Sequence, residues 1–194
     1  GTPSRRASYA TLAKQALQSA GGPIFGQGST TGAEGPGGLT FAVQMAEVEV
    51  DEETGVVRVT RLAAVHDVGR AINPLSIEGQ VAGGVTQGMG FALTEWLRVQ
   101  DGEVLTTNLM TYLLPTAPDV PRVEVSVLEE FPGAGPFGAK GVGEQPVIPT
   151  AAAIANALAN ATGVQLRDLP LTAERVLAAL RGREKPAGSK ATAS

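Results

Sequence analysis

Cysteine is absent from the 194 residues. The chain can therefore close no disulfide, and it cannot itself ligate an iron–sulfur cluster or a thiolate-bound metal. Histidine occurs once, at His66, so a metal centre built from several imidazoles is excluded as well. Basic residues do not cluster and the formal charge is −4, which leaves nothing to neutralise a run of phosphates and argues against nucleic acid as a partner. Long apolar runs are also missing. The most apolar stretch, PLSIEGQVAGGVTQGMGFALTEWLRV, is interrupted or bracketed by Arg70, Glu78, Gln80, Gln87, Glu95 and Arg98, so membrane insertion is not expected. Any redox cofactor must be held by other groups or by other chains.

What is present suits a globular piece. Apolar residues make up 43% of the chain, enough to fill a core, and the length allows one or two domains. The composition is that of a soluble, cytoplasmic protein. The chain begins with Gly1, shows no signal peptide and ends in REKPAGSKATAS, which has too little apolar surface to order itself. The expectation is a body over residues 1–182 that is part of something larger, with a flexible polar tail at 183–194.

In chain order, Leu12, Ala13, Ala16 and Leu17 recur at helical spacing and predict a helix over residues 6–20, stopped by Gly21 and Gly22. GGPIFGQGSTTGAEGPGG follows as a long loop that is functional or packed on a neighbour. Residues 40–50 and 56–66 are β-rich and joined by DEETG, a hairpin signature, and their apolar content on both faces suggests burial from two sides. His66 reads as a packed structural residue, and Asp67, Asn73 and Pro74 as a turn-and-cap arrangement leading into a helix. RVQDGEVLT is hairpin-like, TYLLPTAPDVP is kept irregular by its prolines, and VEVSVLEE alternates as a half-buried strand. Met110, Tyr112, Leu113 and Leu114 are assigned to packing, and helices are predicted over 149–161 and 172–180. Strands and helices interspersed without a regular βαβ repeat make the fold class α+β.

Two stretches invite chemistry. PFGAKGVGEQP delivers the carboxylate of Glu144 among Gly138, Gly141 and Gly143, glycines expected to supply positive φ and close approach. Glu144 reads either as a solvated or helix-capping acid or as a general base over a bound cofactor. Lys140 either faces the same site or is a solvated loop lysine. In the helix opened by Pro74, Gln80 and Gln87 lie seven positions apart and share a face. Gly79, Gly83, Gly84, Gly88 and Gly90 each cost that helix about 1 kcal/mol, which close packing of another helix or contact with a cofactor would explain.

GAKGVGEQP together with VHDVGRAINPLSIEGQVAGGVTQGMGFALTEW resembles the C-terminal part of the molybdopterin subunit of the molybdenum hydroxylases, the family of xanthine dehydrogenase and the aldehyde oxidoreductases, over residues 39–180. The resemblance implies molybdopterin with molybdenum, as a cytosine dinucleotide, and hydroxylation of an aldehyde or N-heterocyclic substrate with water-derived oxygen. Glu144 takes the place of the general base, and Gln80 that of the glutamine contacting the pterin. Gln87, Gly141 and Gly143 are further candidates for the cofactor's surroundings. The family's remaining contacts lie N-terminal to this stretch, so activity is expected only with the missing region or with partner chains: another molybdopterin-binding chain or region, an iron–sulfur subunit and a flavin (FAD) subunit. Two other readings stand beside it. One is a non-catalytic subunit docking on a cofactor-bearing partner; the other is a hydrolase in which Glu144 pairs with Asp67 or Glu78.

Overall fold

A computed structural model describes residues 6–19, 22–28 and 39–183. The chain divides into two compact units, residues 1–34 and 35–194. In the first, the helical spacing is realised as α1, Tyr9–Gln18, started by Ser8, whose hydroxyl accepts the Thr11 N–H at 3.1 Å. None of its residues is buried. Most of the glycine-rich loop over 21–38 lies outside the described residues, as does the tail expected over 183–194 apart from Arg183, which belongs to the last helix.

The second unit is built on the predicted hairpin. Strands β1 (Ala42–Val50) and β2 (Val57–Asp67) pair antiparallel, with a register shift between Glu47 and Val48, and the Asp51 carboxylate accepts the N–H groups of Glu53 and Thr54 to close the turn. Helix α2 (Pro74–Leu93) follows, capped by Asn73, whose Oδ1 accepts the Ser76 N–H, with Pro74 in its first turn. A two-residue ribbon, β3 (Val99–Gln100) and β4 (Glu103–Val104), turns at Asp101 and Gly102, both at positive φ. Strand β5 (Arg122–Leu128) then joins β2 in parallel to give the sheet order β1-β2-β5. Helices α3 (Thr150–Thr162) and α4 (Ala173–Arg183) end the unit, α3 stopped by Gly163 in the left-handed region. The class is α+β, as the order of elements predicts.

Helix α3 packs on β1 and on α2, and α2 also meets β5, so both cover one face of the sheet. The core includes Leu62 and Ala64 of β2, Val81, Val85 and Met89 of α2, Ile154 and Leu158 of α3, and Val176 and Leu180 of α4. Alternation along β1 sends Ala42, Gln44, Ala46 and Val48 toward the helices. The opposite face corrects the expectation of burial from two sides: within this chain Phe41, Val43 and Met45 remain 62, 69 and 65% exposed. A second correction concerns the apolar residues beside the prolines, since Met110 is 88% exposed and Leu113 and Leu114 about half exposed. Tyr112 alone of that group is engaged, its hydroxyl donating to Glu95 Oε2 at 2.8 Å. No helix among the described residues is long and apolar enough to cross a membrane.

Candidate functional site

The chain leaves β2 through a turn that only glycine allows. Gly69 sits at φ +58°, and a Cβ there would collide with the Gly138 carbonyl. The collision is with the Glu144 loop folding back: Gly69 and Ala139 form an antiparallel bridge, Arg70 N–H donates to Gly138 O at 3.0 Å and Lys140 N–H to Val68 O at 2.9 Å. Phe137 is held at φ +57° with its ring 90% exposed, a conformation that costs a bulky residue about 1 kcal/mol or more.

Lys140 is neither a solvated lysine nor a neighbour that competes for Glu144. Its side chain is 4% exposed, and Nζ donates to Asp67 Oδ2 at 2.5 Å and to Leu39 O at 2.8 Å. Asp67 is 1% exposed, with Oδ1 accepting the Gly69 N–H at 3.1 Å. Burial pushes the Asp67 carboxyl up, but the hydrogen bonds from Lys140 and Gly69 and the Lys140 charge outweigh it and hold the group below its ordinary value. Asp67 is thereby committed to a buried ion pair and is not free to form the second carboxylate of a hydrolase. Its neighbour His66 is fully buried with neither ring nitrogen partnered among the described residues, and burial depresses its basicity. It is a neutral packed histidine.

Beyond Lys140 the loop emerges. The Glu144 side chain is exposed and has no hydrogen-bond or ion-pair partner among the described residues, while its backbone carbonyl accepts the Val147 N–H at 3.2 Å. Gly141 and Gly143 do not adopt the positive φ expected of them; of the three loop glycines only Gly138 does, at +83°. What distinguishes Gly141 and Gly143 is open space, since a Cβ on either would meet nothing within 4 Å. Gln145 ties the loop internally by donating to Gly141 O at 3.2 Å, while its Oε1 is buried without a partner among the described residues. Past it, the Pro146 carbonyl accepts from Gln44 Nε2 at 2.7 Å, and Thr150 Oγ1 donates to Gln44 Oε1 at 2.6 Å. Only one orientation of the amide serves both bonds, so Gln44 is locked.

The glycines of α2 separate into two sets. Gly84 faces Pro146, where an added Cβ would lie 2.6 Å from the ring, and Gly88 faces Thr150 at 2.5 Å; Gly90 packs on Glu95 and Pro115. These three are explained by packing inside the chain. Gly79 and Gly83 have open space, so the helical stability they forgo is repaid by nothing among the described residues. They share an exposed face with Gln80 and Gln87, neither of which has a partner there. Because Pro146 and Val147 rest on Gly84, the residues that follow Glu144 are seated on this helix between Gln80 and Gln87. The structure thus assembles an open surface of small residues and free amides on α2, with the loop carrying a free carboxylate docked on the same helix. Among the described residues no three His, Asp or Glu side chains gather into a group that could hold a metal ion.

A family model described as the molybdopterin cofactor-binding domain matches residues 2–121, well over half of the chain. The chain belongs to that family. Curated relatives in the family include a 6-hydroxypseudooxynicotine dehydrogenase complex subunit gamma from Paenarthrobacter nicotinovorans, 41% identical over 75% of this chain and 19% of its own length. An aldehyde oxidoreductase molybdenum-binding subunit from Escherichia coli (strain K12) is 44% identical over 71% of this chain and 19% of its own. Among solved structures, aldehyde oxidoreductase from Desulfovibrio desulfuricans ATCC 27774 superposes with a TM-score of 0.67 at 36% identity, over 72% of this chain and 15% of that one. Quinoline 2-oxidoreductase from Pseudomonas putida 86 gives 0.66 at 38% identity, over 72% and 18%. This molybdopterin-binding chain therefore spans about a fifth of the length of the curated relatives it matches.

Of the residues that the sequence marks as candidates, Glu144, Gln80, Gln87, Gly141 and Gly143 are all exposed on the α2 face or the loop docked beside it. Gln44 and the pairing of Lys140 with Asp67 emerge only in the structure. No local signal marks either, because Gln44 and Thr150 are 106 positions apart and Asp67 and Lys140 are 73 apart.

Proposed function

We propose that the chain forms one wall of the cofactor and substrate site of a molybdenum hydroxylase acting on an aldehyde or an N-heterocyclic compound, with Glu144 as general base. The observation that carries this reading is the exposed, unpartnered Glu144 carboxylate on a loop seated on the glycine-and-amide face of α2. A pterin suits that face. The space beside Gly79 and Gly83 admits a flat ring system, and the amide of Gln80, with Gln87 further along, offers donors and an acceptor without charge. Gly141 and Gly143 leave the same freedom around the loop.

When bound, the molybdenum–pterin group supplies the two-electron oxidation of the substrate carbon. The chain's own part is to hold and move a proton. Glu144 Oε takes it from the water that delivers the oxygen, and no cation of the loop competes, because Lys140 is committed to Asp67. Gln80 orients the pterin through hydrogen bonds. We expect iron–sulfur clusters and FAD on partner chains, since this stretch has no cysteine to ligate a cluster and relatives are named as subunits of larger complexes, and a cytoplasmic location belongs to the same reading. The pterin is expected as a cytosine dinucleotide, with residues 1–182 acting together as this part of the subunit.

Glu144→Gln tests the assignment. It preserves size and hydrogen-bonding reach but not the ability to accept a proton, and loss of a general base typically costs about 10²–10⁴ in rate. The measurement is substrate-driven metal reduction in a single turnover of the assembled enzyme, with molybdenum content determined first. A fully loaded variant reducing at the wild-type rate would remove Glu144 from the mechanism.

A further inference from the structure

The loop that carries Glu144 leaves that side chain loosely held. Residues 141 and 143 are glycines with open surroundings and the Glu144 side chain is exposed. From within, the loop is tied by Val142 packed partly buried on the core, by the Glu144 and Gln145 carbonyls accepting the Val147 and Ile148 N–H groups at 3.2 and 3.3 Å, and by the Gln145 side-chain bond to Gly141 O at 3.2 Å. A general base must nevertheless be held within about 0.5 Å of its productive position. The two ends of the loop supply that constraint, and both lead to the β1–β2 hairpin. On one side the Lys140 ammonium is buried between Asp67 Oδ2 and Leu39 O while its N–H bonds Val68 O. On the other, Gln44 of β1 grips the Pro146 carbonyl and the Thr150 hydroxyl.

We propose that Asp67 and Gln44 are positioning residues for Glu144, fixing from the hairpin the two ends of the loop on which it stands. The proposal rests on the role assigned to Glu144 above. Asp67 lies at the end of β2, where Asp67 N–H bonds Phe41 O at 2.9 Å and Val68 N–H bonds Leu128 O at 3.0 Å. Gln44 lies mid-strand in β1, paired with Ala64. Both anchors therefore inherit the rigidity of the sheet, and only residues 141–145 remain between them. Asp67→Asn can keep the bond to Gly69 N–H but leaves Lys140 as an uncompensated buried charge, which favours release of that end. Gln44→Met removes the tie of the other end to β1 and strands no charge, and the Pro146 carbonyl is not left unpaired, since Thr150 Oγ1 lies 3.1 Å away and can donate to it.

In the assembled enzyme, hydrogen exchange of residues 141–148 is expected to quicken at least about tenfold in either variant as local opening becomes easier. With pterin and molybdenum content at wild-type level, the single-turnover rate is expected to fall about 10- to 100-fold, because a shift of roughly 1 Å can cost ~10²-fold, with KM little changed. The double variant D67N/K140Q replaces the ion pair by a neutral bridge and should recover part of both. Wild-type exchange and wild-type rate in both single variants would overturn the proposal. So would a rate that falls only in proportion to lost cofactor. If Asp67→Asn does not fold, Gln44→Met decides by the same readouts. Glu144→Gln run in parallel separates the two readings: a wild-type rate there overturns both, whereas a slow Glu144→Gln beside wild-type Asp67→Asn and Gln44→Met overturns this one alone.

Discussion

Gly83 and Gly84 are consecutive in α2, and replacing each by alanine should move stability in opposite directions. In both cases the helix gains about 1 kcal/mol of intrinsic propensity. At Gly83 nothing among the described residues lies within 4 Å of the new methyl, so the gain stands. At Gly84 the methyl would lie 2.6 Å from the Pro146 ring and 3.3 Å from its carbonyl carbon and from the Val147 nitrogen. Those are backbone and ring atoms of a buried residue that cannot rotate away, and overpacking of this kind costs about 1–3 kcal/mol. Gly84→Ala should therefore be destabilising by up to about 2 kcal/mol, and the two variants should differ by roughly 1–3 kcal/mol. For a chain of this size about 1 kcal/mol corresponds to some 2–4 °C in Tm, a separation that calorimetry of the chain resolves. The assembled enzyme adds a second reading, because the methyl at Gly83 stands on the face assigned to the pterin. Gly83→Ala should raise the Tm of the chain while lowering the pterin and molybdenum content of the enzyme. Equal Tm shifts for the two variants would refute the packing argument, and full cofactor content in Gly83→Ala would take the pterin off this face.

Gln80→Ala should leave the fold nearly intact, because Gln80 has no partner among the described residues. It should weaken cofactor retention or lower the rate by roughly fivefold, the equivalent of ~1 kcal/mol for one hydrogen bond; unchanged pterin content and kinetics would place Gln80 elsewhere. His66 should make stability depend on pH. Burial lowers its folded-state pKa, so the unfolded chain takes up the proton first as the pH falls. The stability contributed by the neutral ring is complete above about pH 6.5 and is lost below it, at up to ~1.4 kcal/mol per pH unit. Unfolding midpoints recorded between about pH 7 and pH 5 should fall for the wild type and flatten in His66→Met, and an identical slope in the two would contradict this.

Most of the fold was legible in the sequence because its signals are local. The three- and four-residue spacing in α1 and α3, the Asn73-Pro74 start of α2, the polar DEETG turn and the alternation through Val123, Val125 and Val127 each depend on neighbours a few positions apart. Of the site, the residue types at Glu144, Gln80 and Gln87 could be read with the family resemblance, since they lie in two continuous motifs. The tertiary structure alone decided which glycines serve packing, because Gly83 and Gly84 are indistinguishable in sequence and differ only in that Pro146 lies against one of them. It also decided the fate of the charges. A lysine among loop glycines carries no mark of burial, and an aspartate in a turn reads as a cap. Only when β2 brings Asp67 beside Lys140 does each find the partner that makes burial affordable, for a buried charge is tolerated through a contact in space that no local pattern of the chain encodes.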